Sequence, residues 1–160
     1  MLLLPQLIES LATSTDQAIS SQAPTDTAWK ALPLPANGAH WPYRSDDAIA
    51  PLAIETIGET DHFYVKVVHW YTKAPVATVF IRAGRSAEIS LPLGSFEIRY
   101  ATGSTWYGTE YLFGEDTAYS IADSRFDFKR EGDRITGYTI QLYLQRDGNL
   151  GTKPIKATDF

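Results

Sequence analysis

From about residue 50 onward, apolar and polar side chains alternate with a period of two, which confines that part of the chain to β-structure. Phe63, Val65, Val67 and His69 alternate with Tyr64, Lys66, Val68 and Trp70, the spacing of a long half-buried strand. The Thr72-Lys73-Ala74-Pro75 break predicts a hairpin turn into the β-branched run 76–83. Ala87, Ile89 and Leu91 then alternate with Glu88 and Ser90, and Phe96, Ile98 and Tyr100 with Glu97 and Arg99. Phe126 and Phe128 alternate with Asp127, as do Tyr138, Ile140, Leu142 and Leu144 with Thr139, Gln141, Tyr143 and Gln145. Turns are expected at Gly84-Arg85-Ser86, Pro92-Leu93-Gly94 and Arg146-Asp147-Gly148-Asn149. With Leu52–Ile57 and Thr152–Ala157 there are about seven or eight short strands and no helical period between them, so the expected fold is mainly β, an antiparallel β-sandwich.

The first fifty residues differ. Of the 160 residues, the first 60 hold two basic and seven acidic side chains, and the rest hold twelve of each, so the whole net charge of −5 lies in the first part. Six of the nine prolines and only three of the twenty aromatics also lie there. Leu7, Ile8, Leu11, Ala18 and Ile19 give a weak apolar stripe, read as a short helix over 6–20. Residues 21–50 read as an extended acidic arm, because Pro33 and Pro35 fix φ and remove backbone donors. Trp29, Trp41 and Tyr43 on that arm predict that it lies against a surface, either its own body or a partner. The expected division is therefore 1–50, helix and arm, and 51–160, sandwich.

Several function classes lose support at this stage. No stretch approaches the roughly 20 apolar residues of a membrane-spanning helix. The opening Met1–Ile8 has no basic region and is interrupted by Pro5, so it does not read as an export signal; this leans toward the cytoplasm without fixing the compartment. With no cysteine there is no disulfide, thiolate metal site or cysteine nucleophile. The negative charge argues against nucleic acid as a partner. Neither a Gly-x-Ser-x-Gly elbow, a phosphate loop nor a dinucleotide fingerprint is present, and no cofactor or metal is expected.

The run Pro75–Tyr100 (PVATVFIRAGRSAEISLPLGSFEIRY) resembles a piece of the prealbumin-like β-sandwich modules of bacterial proteins, the carboxypeptidase-regulatory and PEGA types. The resemblance lies in a strand, a Gly turn, a short strand, a Pro-x-Gly turn and an aromatic-rich strand, read as two hairpins. It implies a prealbumin-like sandwich and a non-catalytic role, and it carries over no functional residue.

Residues 101–121 form a connection dense in glycine and aromatics, and long loops of this kind serve either as contact surfaces or as caps on a core. Trp106, Tyr107, Tyr111 and Phe113 are its candidate binding residues, with Trp70 and Tyr71 as a second patch and Trp29, Trp41 and Tyr43 as the partner-facing arm. Arg82, Arg85 and Arg99 could gather as an anion site, or pair across strands, as Arg99 with Glu88. His62 and His69 are seven residues apart on one strand, about 23 Å end to end at ~3.3 Å per residue, too far to share a metal. Asp46-Asp47, Glu115-Asp116 and Glu131-Gly132-Asp133 sit in predicted turns, where solvated carboxylates are expected. The leading expectation is a non-enzymatic module that binds a protein partner or a second copy of itself through the arm and the aromatic loop. The alternatives are a carbohydrate or cell-wall binder using Trp70, Trp106, Tyr107 and Tyr111, and a hydrolase pairing a carboxylate with His40, His62 or His69.

Overall fold

A computed structural model describes residues 29–42, 47–58, 60–143 and 152–160. The helix expected over 6–20, Tyr43, Leu144 and the turn at 146–149 lie outside these residues. The chain divides at residue 30, and Ala31–Phe160 is one compact unit. The composition changes near residue 50, but the compact unit begins some twenty residues earlier, because the arm from Ala31 is hydrogen-bonded into the body.

Two sheets hold most of the strands. The larger contains β1 (His40–Pro42), β3 (His62–His69), β4 (Pro75–Ile81), β6 (Gly94–Gly103), β7 (Ala118–Ala122), β8 (Phe126–Phe128) and β12 (Thr152–Pro154). Its order is β1-β4-β3-β6-β7-β12, with β8 also pairing β6, and every neighbour is antiparallel. The smaller sheet has the order β11-β2-β5, from β11 (Tyr138–Tyr143), β2 (Ala50–Ile57) and β5 (Ser86–Leu91). A separate hairpin joins β9 (Arg130–Glu131) to β10 (Arg134–Ile135).

The alternation places its apolar residues as expected. Leu52, Ile54, Ile89, Leu91, Ile140 and Leu142 of the smaller sheet share one buried cluster with Val65, Val67, Val79, Phe96, Ile98 and Phe128 of the larger. Each such side chain contributes about 1.5–3 kcal/mol on burial. Tyr138 ties the sheets together: its hydroxyl donates to the Asp127 carbonyl and accepts from the Asp127 N–H, and its ring packs edge-on against Phe126 and Phe128.

Three expectations need correction. First, β11 runs parallel to β2, so the chain is not wholly antiparallel. The two strands are far apart in sequence, and no hairpin constrains their direction. Gly137 opens the parallel pair, since a Cβ there would stand 2.8 Å from Cγ of Pro51. Second, the 75–100 run is not two hairpins. β5 lies in the smaller sheet while β4 and β6 lie in the larger, so the turns at Gly84 and at Pro92-Leu93-Gly94 carry the chain from sheet to sheet. Arg99 therefore has Glu97, not Glu88, as its partner. Third, the 101–121 connection is shorter than expected, because β6 continues to Gly103 and β7 begins at Ala118.

The larger sheet is also buried on its second face. Tyr64, Phe80 and Ala101 point away from the shared core and pack with Trp106, Leu112 and Phe113 of the loop, with Leu34, Tyr119 and Phe160 against them. The loop and the arm act as a partial third layer.

Candidate functional site

The arm and the aromatic loop meet on this outer face. The arm reaches it through Asn37, whose side chain donates to the Ser86 carbonyl at 2.8 Å and accepts from the Arg82 N–H at 2.9 Å. Arg82 returns along the arm to the Pro35 and Leu34 carbonyls. The Leu32 N–H then donates to the Trp106 carbonyl at 2.8 Å, joining arm to loop, and Gly108 leaves room for the Leu32 side chain. The two sequence-predicted contact segments thus meet.

The loop is fixed from below. Trp106 and Phe113 are only 4% and 2% exposed, with ring centroids 5.5 Å apart and both packed on Phe80. As candidate binding residues these two are corrected to core residues: four aromatics in one short loop supply more apolar area than a solvated loop retains. Thr117 fastens the following turn: its hydroxyl donates to the Gly114 carbonyl and accepts from the Phe113 N–H. Above these anchors, Tyr111 and Leu32 are each 46% exposed, and Tyr107 is half-buried.

The other candidates lie elsewhere. Trp41 on β1 is 40% exposed and tilts toward Tyr64, with ring centroids 6.1 Å apart; Trp29 is similarly exposed. Trp70 bonds to Ser95 at the start of β6 and lies under Lys73, 4.6 Å from its ammonium, while Tyr71 is 71% exposed. Trp106 folds back onto Tyr64, opposite Ala101 and so roughly 20 Å from Ser95 at ~3.3 Å per residue along β6. Trp70 and Trp106 therefore do not form one stacking platform for a glycan. Arg82 is held by the arm and Arg99 by Glu97, so the arginines make no joint anion site.

The histidine rings are engaged with backbone. His62 Nδ1 accepts the Ala83 N–H at 3.0 Å, His69 Nδ1 accepts the Thr72 N–H at 3.4 Å, and His40 Nδ1 lies 3.3 Å from the Gly38 carbonyl. Burial, aided by the Arg82 charge and opposed by Asp61, holds the His62 pKa below the usual histidine range. Glu115 and Asp116, in a single 3-10 turn, and Glu131 and Asp133, in the β9–β10 hairpin, are all exposed.

A charged row crosses the same outer face. Glu97, 5% exposed, accepts from Lys73 and from Arg99 Nε, both at 2.7 Å. Burial raises its pKa, but the two hydrogen bonds outweigh that and hold the carboxyl below the ordinary glutamate range. Arg99 also donates to the Asp159 carbonyl, and Lys66 Nζ to the main-chain oxygen of Phe160 at 2.8 Å. Between the loop and the 157–160 turn lies a cavity of about 410 Å³ floored by Tyr64, Lys66 and Thr78. The sequence reading missed this cavity. Its available signal was apolar residues at both parities of one strand (Tyr64 and Val68 besides Phe63, Val65 and Val67), the mark of a strand covered on two faces, with a lysine in their midst.

Compared with family models, curated proteins and solved structures, the chain matches none.

Proposed function

We propose that this chain is a non-enzymatic interaction module: a two-layer β-sandwich of prealbumin-like design that binds a protein partner through its arm and its 104–117 loop. The observation carrying this reading is the Leu32–Trp106 hydrogen bond, which makes the arm and the loop one continuous surface. Trp106 and Phe113 anchor that surface from beneath, so Leu32, Tyr107 and Tyr111 are held ready with little side-chain or loop entropy left to lose on association. Apolar side chains on such a rigid support suit a protein surface, where a few anchors supply most of the binding energy. The engagement of each histidine with backbone, and not with a carboxylate, favours binding over hydrolysis.

The test is photocrosslinking in cells with benzoylphenylalanine at position 32, 111 or, as a remote control, 131. The reading predicts one protein captured from both 32 and 111 but not from 131; if that protein is this chain, the purified variants crosslink to themselves. The same products from all three positions, or none from 32 and 111, refute it.

A further inference from the structure

Phe160 sits in a slot on the outer face of the larger sheet, and that slot is built row by row. Tyr64, Ala101 and Tyr119 stand opposite one another on β3, β6 and β7. The alanine between two tyrosines makes a notch. The Phe160 ring lies there, its centroid 5.2 Å from that of Tyr119 and 6.3 Å from that of Tyr64. In the next row on the same face, about 6.6 Å along the strands at ~3.3 Å per residue, Lys66 stands opposite Arg99. Lys66 Nζ donates to the main-chain oxygen of Phe160 at 2.8 Å and lies 5.1 Å from its ring centroid. Arg99 donates to the Asp159 carbonyl at 2.6 Å and reaches the same Phe160 oxygen at 3.5 Å. The Ile155 N–H donates to the Tyr119 carbonyl and so starts the segment across the sheet.

Contacts of this kind hold a bound peptide rather than a packed strand. Among residues 155–160 only Ile155 and Phe160 are partly shielded, and the four between them are exposed. Strand pairing stops at Pro154, and a single 3-10 turn, Ala157–Asp159, follows. The segment therefore rests on one ring and on oxygens held by two cations. Nor does the ring fill its place. A cavity of about 410 Å³ bounded by Tyr64, Leu112, Tyr119 and Phe160 stays open beside it, with exposed Thr109 and Glu110 at the rim. A close-packed element of the core leaves no such space.

We propose that the Tyr64–Tyr119 notch, with Lys66 and Arg99, is a peptide-recognition slot that residues 155–160 occupy as an intramolecular ligand. A partner protein displaces them with a segment of its own, whose aromatic side chain enters the notch and whose main-chain oxygen meets the two cations. The exchange is ring for ring and oxygen for oxygen, so neither cation is stranded without an acceptor. Tyrosine rings on both sides favour an aromatic side chain. Contacts running along the main chain from Ile155 to Phe160 favour a protein segment over a small acid. A segment docked nine-tenths of the time raises the apparent Kd of a competitor about tenfold. A short tether acts at about millimolar effective concentration, so the emptied slot should bind the same sequence in trans with a Kd of about 0.1 mM or tighter. This goes beyond the Leu32–Tyr111 surface, neither of whose named residues lines the cavity. Its test uses only the purified chain and synthetic peptides, so either reading can fail alone.

The experiment is calorimetric titration at pH 7 of the full chain and of its Phe160→Ala variant with the peptide Ile-Lys-Ala-Thr-Asp-Phe, the sequence of residues 155–160. The peptide is used as free acid and as amide, beside the same peptide ending in alanine and beside 3-phenylpropionate. Phe160→Ala should bind the phenylalanine peptide at least tenfold more tightly than the parent does, and at least tenfold more tightly than it binds the alanine peptide or phenylpropionate. Phe160→Leu, a milder change, is titrated in parallel and should show the same order of affinities. The ratio of free acid to amide separates a partner's chain end from an internal aromatic residue, and at least one of the two must bind. Adding Lys66→Met to Phe160→Ala should weaken binding several-fold, with circular dichroism and thermal unfolding confirming that each variant is folded. The proposal is overturned if neither peptide form binds the variants at about 1 mM, the effective concentration of the tethered segment. It is equally overturned if the parent binds as tightly as the variants, if the alanine peptide or phenylpropionate matches the phenylalanine peptide, or if Lys66→Met leaves affinity unchanged.

Discussion

Replacing Gly103 with alanine tests how the 104–117 loop is seated. Gly103 closes β6, and a Cβ added there would lie 2.2 Å from Cβ and 2.5 Å from Cγ of Phe113. Carbon atoms in contact sit at about 3.5–4.0 Å, so Phe113 would have to retreat by roughly 1.5 Å. The clashing atoms are next to the Phe113 backbone, so a rotamer change gives no relief and the loop itself must move. Two effects compete. Alanine is favoured over glycine in a strand by roughly 0.5–1 kcal/mol. Overpacking a well-filled core costs about 1–3 kcal/mol. The second wins, for a net loss of about 1–2 kcal/mol and a fall in Tm of roughly 2–8 °C for a chain of this size. The loss has a local signature too, because Trp106 packs on Phe113 and moves with it. Thermal unfolding and tryptophan emission are the assays, with Gly132→Ala as control. Gly132 has φ +62° and no atom within 4 Å of an added Cβ, so that variant loses stability through backbone strain and keeps its emission maximum. An unchanged or raised Tm for Gly103→Ala, with unchanged emission, would refute the seating of the loop on the sheet.

Glu97→Gln leaves Arg99 and Lys73 without their shared carboxylate and should cost about 2–3 kcal/mol, read by urea denaturation at pH 7. Because the folded Glu97 carboxyl titrates below its ordinary value, its contribution is complete above that value and disappears as pH falls through the lower folded one; the variant should therefore lose its deficit at acid pH, and a deficit constant down to pH 2 would contradict the pairing. The His62 ring should titrate below 6.5 by NMR, since it must stay neutral to accept the Ala83 N–H; its contribution is present above about 6.5 and is lost as pH drops through the folded value, and a midpoint at or above 6.5 counts against that bond. Asn37→Ala removes two hydrogen bonds that fasten the arm and should cost about 1–2 kcal/mol while speeding proteolysis within residues 31–42; protease resistance equal to the parent's would mean the arm is held by other contacts.

The period-two alternation by itself determined that this is a β-protein and which side chains of each strand share a face. Phe96, Ile98, Phe128, Ile140 and Leu142 are all where it puts them. The hairpin from β3 to β4 was also legible, because Ala74-Pro75 is a local signal. Only the tertiary structure decided that β5 leaves its neighbours for the second sheet, that β11 lies parallel to β2, and that Trp106 and Phe113 are buried while Leu32 and Tyr111 stay exposed. It alone also brought Phe160, from the far end of the sequence, over Lys66 and Thr78 of that hairpin to wall one cavity. The physical reason is one of range. Alternation records the orientation of side chains two residues apart, which the strand backbone fixes locally. Strand neighbours, strand direction and the covering of a second face come from contacts between residues tens of positions apart, chosen by the packing of the whole chain.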